Sequence, residues 1–377
     1  MAIYDVAVIG LGAMGASALY ALAERGQRVI GIDRFEPGHA HGSSHGESRI
    51  IRMAYCEDPA YVPLVRLAYD SWRRLEAHTG RRVLAITGII EAGIPGSVQV
   101  ADSLRSAVEH AIPHEILSAR EINARFPAFN LPGDWDCVFQ ADGGVLEPEK
   151  AVRLFAEAAR ALGATLRLNQ QVAAVEPVGD GVRIVLAGGE VIEAGSAVIA
   201  AGPWISELVP ELAPHLTLTR QPLVWFDPAT PALVTPERMP VFLIETPDDV
   251  VYGMPDIAGS GVKAASHRPG QVLANADAPR PDASEEECAV IGDALKRYIP
   301  AAAGPVRRTL ACTYTRTPDE HFVLGLHPGA PQIVIASPCS GHGFKFAGII
   351  GEALADLATA QATDKPIGLF SPSRLLG

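Results

Sequence analysis

Residues 3–33 read IYDVAVIGLGAMGASALYALAERGQRVIGID, and this stretch decides the fold. Residues 3–9, IYDVAVI, are a short apolar run of the kind that forms a buried strand. The glycines that follow stand at Gly10, Gly12 and Gly15, the GxGxxG spacing. AMGASALYALAERG then predicts a helix that closes at Gly26, and QRVIGID predicts a second strand ending in Asp33. In such a unit Gly10 permits the tight turn, Gly12 lets a pyrophosphate approach the backbone, and Gly15 lets helix and strand pack closely. The helix N-terminus faces the phosphates. Asp33 falls at about the 20-residue distance expected for the acid that accepts from a ribose hydroxyl. A bare GxGxxG is a weak signal, since it also describes an unliganded turn; the strand before it and the helix after it make it a dinucleotide site. Arg34 leaves room for a 2′-phosphate, but the neighbouring acid repels one, so FAD or NAD is favoured over NADP.

The rest of the composition sets the frame. A chain of 377 residues is long for one domain and comfortable for two. Its 48% apolar and 20% charged content is that of an ordinary globular enzyme. The net charge of -12 argues against nucleic acid as a partner, because phosphate backbones are bound by basic patches. An anionic small substrate therefore needs a locally basic pocket. Cys56, Cys137, Cys288, Cys312 and Cys339 are odd in number and scattered, a reduced pattern rather than a disulfide framework. The opening MAIYDVAVIGLG has no basic leader and its apolar run is broken by Asp5, so neither a signal peptide nor a membrane anchor is expected and the cytoplasm is the expected location. The closing SPSRLLG lacks a Ser-Lys-Leu ending.

After the second strand, EPGHAHGSSHGESRIIRMAY reads at its start as a loop over the cofactor. His39, His41 and His45 lack carboxylate or thiolate companions, so no metal is expected. Gly42, Ser43 and Ser44 offer small donors to a pyrophosphate. Arg49 and Arg52 stand three apart and share a face if the segment is helical. Farther on, RQPLVWF, MPVFLIE, VVYGMPD and SGVKAASH alternate apolar runs with Pro and Gly, which predicts an antiparallel sheet. Taken alone, Cys312 is a small core residue of an alternating strand, Lys263 a surface strand lysine, and Lys345 a cation misplaced at a helix start.

Four stretches together carry a resemblance: GSSHGESRIIR, VIAAGPW (198–204), LACTYTRTPDEHFVLGLHP around Cys312, and QIVIASPCSGHGFKFAGIIGEALADLA. They resemble the family of monomeric sarcosine oxidase and N-methyltryptophan oxidase along almost the whole chain. The resemblance implies an α/β fold (α+β overall): a Rossmann-like FAD-binding domain beside a mainly antiparallel-sheet substrate domain, as in glutathione-reductase-like and D-amino-acid-oxidase-like flavoproteins. The FAD domain is expected over roughly 1–80, 141–214 and 306–377, and the substrate domain over roughly 81–140 and 215–305.

The resemblance further implies FAD bonded through sulfur to Cys312; Cys339, nearer the glycine turn, is the runner-up thiol, where the family pattern does not place the bond. Arg49 lies against the flavin, and Arg52 and Lys345 grip the substrate carboxylate. Lys263 promotes reaction with oxygen, His267 is an active-site histidine, and Tyr252 and Tyr314 are pocket tyrosines. Beside Gly10, Gly12, Gly15 and Asp33, the implied cofactor contacts are Arg34, Ser43, Ile50, Val172, Gly202, Trp204, Gly341, His342, Gly343, Phe344 and Lys345. The implied activity is oxidation of a secondary amine acid by oxygen, in a monomer, with no nucleic acid or membrane partner. An oxidase or dehydrogenase of a cyclic (proline, pipecolate) or glycated amino acid is the nearest alternative. A nicotinamide dehydrogenase and a non-catalytic flavin-binding protein lie farther off.

Overall fold

The computed structural model describes residues 4–268 and 270–377, so Ile3 of the expected first strand lies outside the described residues. Two eight-stranded sheets and a three-stranded one carry the chain. In the first sheet Tyr4–Ile9 pairs in parallel with Val29–Ile32 on one side and Val191–Ile199 on the other. Thr165–Arg167 extends one edge, and Ala330–Ser337 joins Val191–Ile199, also in parallel. The helix Ala13–Glu24 crosses between the first two strands and packs against the helices Pro148–Ala161 and Ala347–Ala360.

Two of the motif glycines are demanded by sterics. Gly10 has φ of 88°, and a Cβ there would lie 2.5 Å from the Ala200 carbonyl oxygen. A Cβ on Gly15 would collide with the Gly10 carbonyl, so helix and strand close only over glycine. Gly12 meets only Ser44 Oγ at 3.5 Å and looks onto open space.

The second sheet runs, edge to edge, Val306–Arg316, Thr217–Phe226, Val262–Ser266, Val250–Met254, Val241–Glu245, Ile89–Gly93, Asp136–Gln140 and Glu115–Ser118. Every pairing is antiparallel except that of Ile89–Gly93 with Val241–Glu245. The antiparallel sheet expected from the middle of the chain is therefore present. The strand carrying Cys312 belongs to it over its whole length, so the boundary expected at 306 falls at the start of that strand, before the chain returns to the first sheet. Leu84–Ile86 likewise pairs outside the second sheet, with Gly144–Leu146, which also pairs with Arg49–Ile51.

The period of two decides what each face of this sheet does. Val224, Phe226, Phe242, Ile244, Val251, Val262 and Ala264 point one way, into a core shared with Cys288, Ile291, Leu295 and Tyr298 of the helix Glu285–Tyr298. The alternate residues Leu223, Leu243, Tyr252, Met254 and Lys263, with Cys312 and Tyr314, point the other way and line a cleft between the two sheets.

Candidate active site

The cleft takes in about 1930 Å³ of space, open solvent at its mouth included. At one end it is walled by Gly10, Gly12, Asp33, Arg34, Val172, Gly202 and Trp204. No acidic residue sits in the first turn of the Ala13–Glu24 helix, which leaves its positive dipole end facing the cleft. Three of the expected cofactor contacts line the cleft and also make bonds within the chain. Asp33 is buried with its carboxylate turned into the glycine loop, where it accepts from the amides of Leu11 and Phe35, the latter at 2.7 Å; it braces the turn. Burial raises its pKa despite those bonds. Arg34 pairs with Asp277 at 3.0 Å and lies over Trp204, whose Nε1 also donates to Asp277. The serine at the helix start is Ser44, whose Oγ accepts from the Ala13 amide at 3.1 Å, while Ser43 donates to the Thr313 carbonyl at 2.7 Å. Of the loop histidines, His41 stacks on Phe35 with centroids 4.1 Å apart.

Midway along the cleft, Arg49–Ile51 is a strand rather than a helix, because the β-branched pair Ile50 and Ile51 pairs with Gly144–Leu146. Arg49 and Arg52 therefore separate. Arg49 turns toward Cys312, donating through Nη2 to the Ser43 carbonyl at 2.9 Å and approaching Cys312 Sγ at 3.5 Å. Lys263 is 2% exposed and its Nζ donates to the Gly46 and Ser48 carbonyls, each at 2.8 Å. Burial, aided by Arg49, holds its pKa well below the usual lysine range. Among the described residues neither ring nitrogen of buried His45 has a hydrogen-bond partner, and burial takes its pKa down to about 4. Tyr252 and Tyr314 face each other with hydroxyl oxygens 3.4 Å apart, and His267 sits edge-on to Tyr252.

The far end carries the second pair of charges. After Ser340 and Gly341, both with positive φ, a 3-10 turn over Phe344–Phe346 leads into the helix Ala347–Ala360. Lys345 Nζ donates to the Tyr55 hydroxyl at 3.1 Å and to the His342 carbonyl at 3.0 Å. Its pKa falls to about 8 through burial, against the opposing pull of Glu57. The His342 ring itself bonds to Tyr55 Oη at 2.7 Å and to the Glu320 carbonyl at 3.1 Å. Arg52 is held by two carboxylates, Glu57 at 2.7 Å and Glu91 at 3.0 Å. Burial disfavours charge on Glu57, but Arg52, His342 and Lys345 outweigh it and hold the carboxyl well below its usual range.

The match to known proteins spans this whole arrangement. Residues 5–357 match the FAD dependent oxidoreductase family. The chain belongs to that family. A monomeric sarcosine oxidase of Streptomyces avermitilis is 41% identical to this oxidoreductase over 377 residues, covering 99% of this chain and 98% of the relative. An N-methyl-L-tryptophan oxidase of Yersinia pestis is 34% identical over 373 residues, covering 98% and 99% of the two chains. Among solved structures, NikD, an unusual amino acid oxidase essential for nikkomycin biosynthesis, superposes with a TM-score of 0.87 at 26% identity, covering 98% of this chain and 97% of its own. The proline dehydrogenase of P. horikoshii, at 20% identity and a TM-score of 0.85, shares the fold.

The residues present fit FAD. Gly12 presents open backbone at a helix start with no acidic residue in its first turn, and Cys312, beside Arg49, belongs to the cleft lining. In this oxidoreductase the expected site residues Lys263, Arg49, His267, Arg52, Lys345, Tyr252, Tyr314 and Cys312 all line one cleft, as do Ile50, Val172, Gly202 and Gly341 through Phe344. Gly15 does not reach it and acts in packing alone. The sequence reading missed Glu57, Glu91 and Tyr55. Glu91 had a signal: it is the one charge in the otherwise apolar strand Ile89–Gly93 and is 0% exposed.

Proposed function

We propose that this oxidoreductase oxidises secondary amine acids with oxygen, taking sarcosine or another N-methyl amino acid to the primary amine, formaldehyde and hydrogen peroxide. The observation that carries the reading is the placing of two buried cations, Arg52 and Lys345, at one end of a cleft that also holds Cys312 and Lys263. The names of the relatives at 41% and 34% identity support it. FAD, when bound, supplies the acceptor for the hydride of the N-methyl carbon and hands the two electrons on to oxygen. We assign its covalent attachment to Cys312, a buried residue of the cleft lining whose sulfur lies 3.5 Å from Arg49 Nη2. The unpaired cysteines and the monomeric relatives support a monomer working in the cytoplasm. Among the described residues no helix is long and apolar enough to cross a membrane.

The side chains divide the work. Lys345 and Arg52 hold the substrate carboxylate, which fixes the reacting carbon and makes the transfer effectively unimolecular. Of the carboxylates on Arg52, Glu57 lines the cleft and Glu91 does not, so the substrate's acid group takes the place of Glu57. The same cations favour the uncharged amine, the form whose lone pair expels the hydride. Tyr252, Tyr314 and His267, whose ring burial keeps largely neutral, wall the reacting carbon from bulk water. The resulting imine takes up water and splits into aldehyde and primary amine. Lys263 stabilises the negative charge that develops as oxygen is reduced.

The test is a panel of sarcosine, N-methyl hydrophobic amino acids, proline and pipecolate, with peroxide and aldehyde as readouts and no added acceptor. Stoichiometric peroxide with formaldehyde from an N-methyl acid is expected. Turnover of proline or pipecolate alone would move the assignment to a cyclic amine, and turnover only with an artificial acceptor would make it a dehydrogenase.

A further inference from the structure

The four Nη hydrogens of Arg52 are all engaged within the chain. Nη1 donates to the Ala54 carbonyl at 3.2 Å and to Glu91 Oε1 at 3.0 Å. Nη2 donates to Cys56 Sγ at 3.1 Å and to Glu57 Oε2 at 2.7 Å. The two halves differ in kind. On the Nη1 side the bonds close a ring: Glu91 Oε2 accepts from Gln140 Nε2 at 3.3 Å, and Gln140 Oε1 accepts from the Ala54 amide at 2.8 Å. Glu91, Gln140 and Ala54 are each 1% exposed or less. On the Nη2 side, Glu57 is part-exposed and faces the cleft.

We infer that Glu91 is a positioning residue that anchors the Nη1 half of Arg52 permanently, so that Glu57 and the substrate carboxylate exchange at Nη2 over a cation that does not move. This rests on the proposed role of Arg52 as a carboxylate clamp and adds what keeps it in place. A guanidinium whose only anionic partner were Glu57 would follow that side chain when it turned outward, because a buried cation left without a counter-charge is strongly unfavourable. With Glu91 fixed beneath it, the guanidinium keeps a buried counter-charge through the exchange. Glu57 then acts as a built-in competitor, occupying the carboxylate site until an acid replaces it.

The experiment uses the flavin-loaded protein. Acetate, an acid with no oxidisable amine, is titrated against the flavin absorbance, and KM and kcat for sarcosine are measured alongside. Glu91→Gln keeps the shape of the ring and removes its charge; it should weaken acetate binding and raise KM about tenfold, the equivalent of one charge-assisted hydrogen bond, with a smaller effect on kcat. Glu57→Gln should tighten acetate about threefold or more by the same reasoning. Adding Glu57→Gln to Glu91→Gln should restore acetate affinity to near the wild-type value, since nothing then draws Arg52 away; a mere packing defect would not be rescued. Acetate affinity in Glu91→Gln within twofold of wild type, or a double variant as weak as Glu91→Gln, overturns the anchor. Should Glu91→Gln not fold, Glu57→Gln alone decides: unchanged or weaker acetate binding overturns the exchange. A wild type indifferent to acetate, or Arg52→Met binding it equally well, would remove the clamp itself and this inference with it.

Discussion

Replacing Arg52 by methionine should damage the protein in two separable ways. Glu91 is fully buried and its carboxylate leans on Arg52 at 3.0 Å and on Gln140 at 3.3 Å. Removing the cation leaves that carboxylate buried without a counter-charge, a loss of about 3–5 kcal/mol for a broken buried pair. Glu57 contributes less, because it can turn to the cleft. The loss should depend on pH. Burial already raises the Glu91 carboxyl above its ordinary value, and without Arg52 it would rise further. A carboxyl raised on folding costs stability above its unfolded pKa, so the deficit of Arg52→Met should be small near pH 5 and widen toward pH 8. A second replacement, Glu91→Val, puts an apolar strand residue where the lone charge stood and should recover most of the loss. Thermal unfolding of wild type, Arg52→Met and Arg52→Met/Glu91→Val at fixed scan rate across this pH range is the assay. Identical melting of Arg52→Met and wild type, or a double variant no more stable than Arg52→Met, would refute the reasoning.

Three further outcomes follow from the same geometry. Cys312→Ser should yield flavin that washes out after acid precipitation, whereas wild type should give a pellet that stays yellow; a colourless wild-type pellet would contradict the thiol assignment. Lys263→Met should slow reoxidation of the reduced enzyme by about 10²–10³-fold while leaving anaerobic reduction by substrate nearly unchanged, as read by stopped-flow absorbance. With the Lys345 ammonium titrating at about 8, acetate affinity should fall as pH rises through that value and be about tenfold weaker at pH 9 than at pH 7; a flat profile would place the binding cation elsewhere.

The nucleotide-binding half was legible because its signals are local: strand, glycine turn, helix and acid follow one another within residues 4–33. The antiparallel roof was legible for the same reason, since alternation and turn residues are short-range. What escaped was pairing between distant residues. Arg52 was visible as a cation, but its partners Glu57 and Glu91 lie on a loop and on another strand, and nothing in the spacing ties them together. Arg49 and Arg52 stand three apart and would share a face only in a helix; the two isoleucines between them, paired to Gly144–Leu146, make a strand and send Arg49 to Cys312 and Arg52 to Glu57 and Glu91. The edge position of the Cys312 strand also depends on a long-range register, Gln221 beside Cys312, that no local pattern encodes.

The most direct test of the account is an anaerobic titration of the purified protein with sarcosine, followed by admission of oxygen. The account predicts that the flavin band bleaches on adding the amine acid and returns with oxygen, releasing one peroxide per flavin. A band that ignores every N-methyl and cyclic amino acid, or a protein that carries no flavin at all, would contradict it.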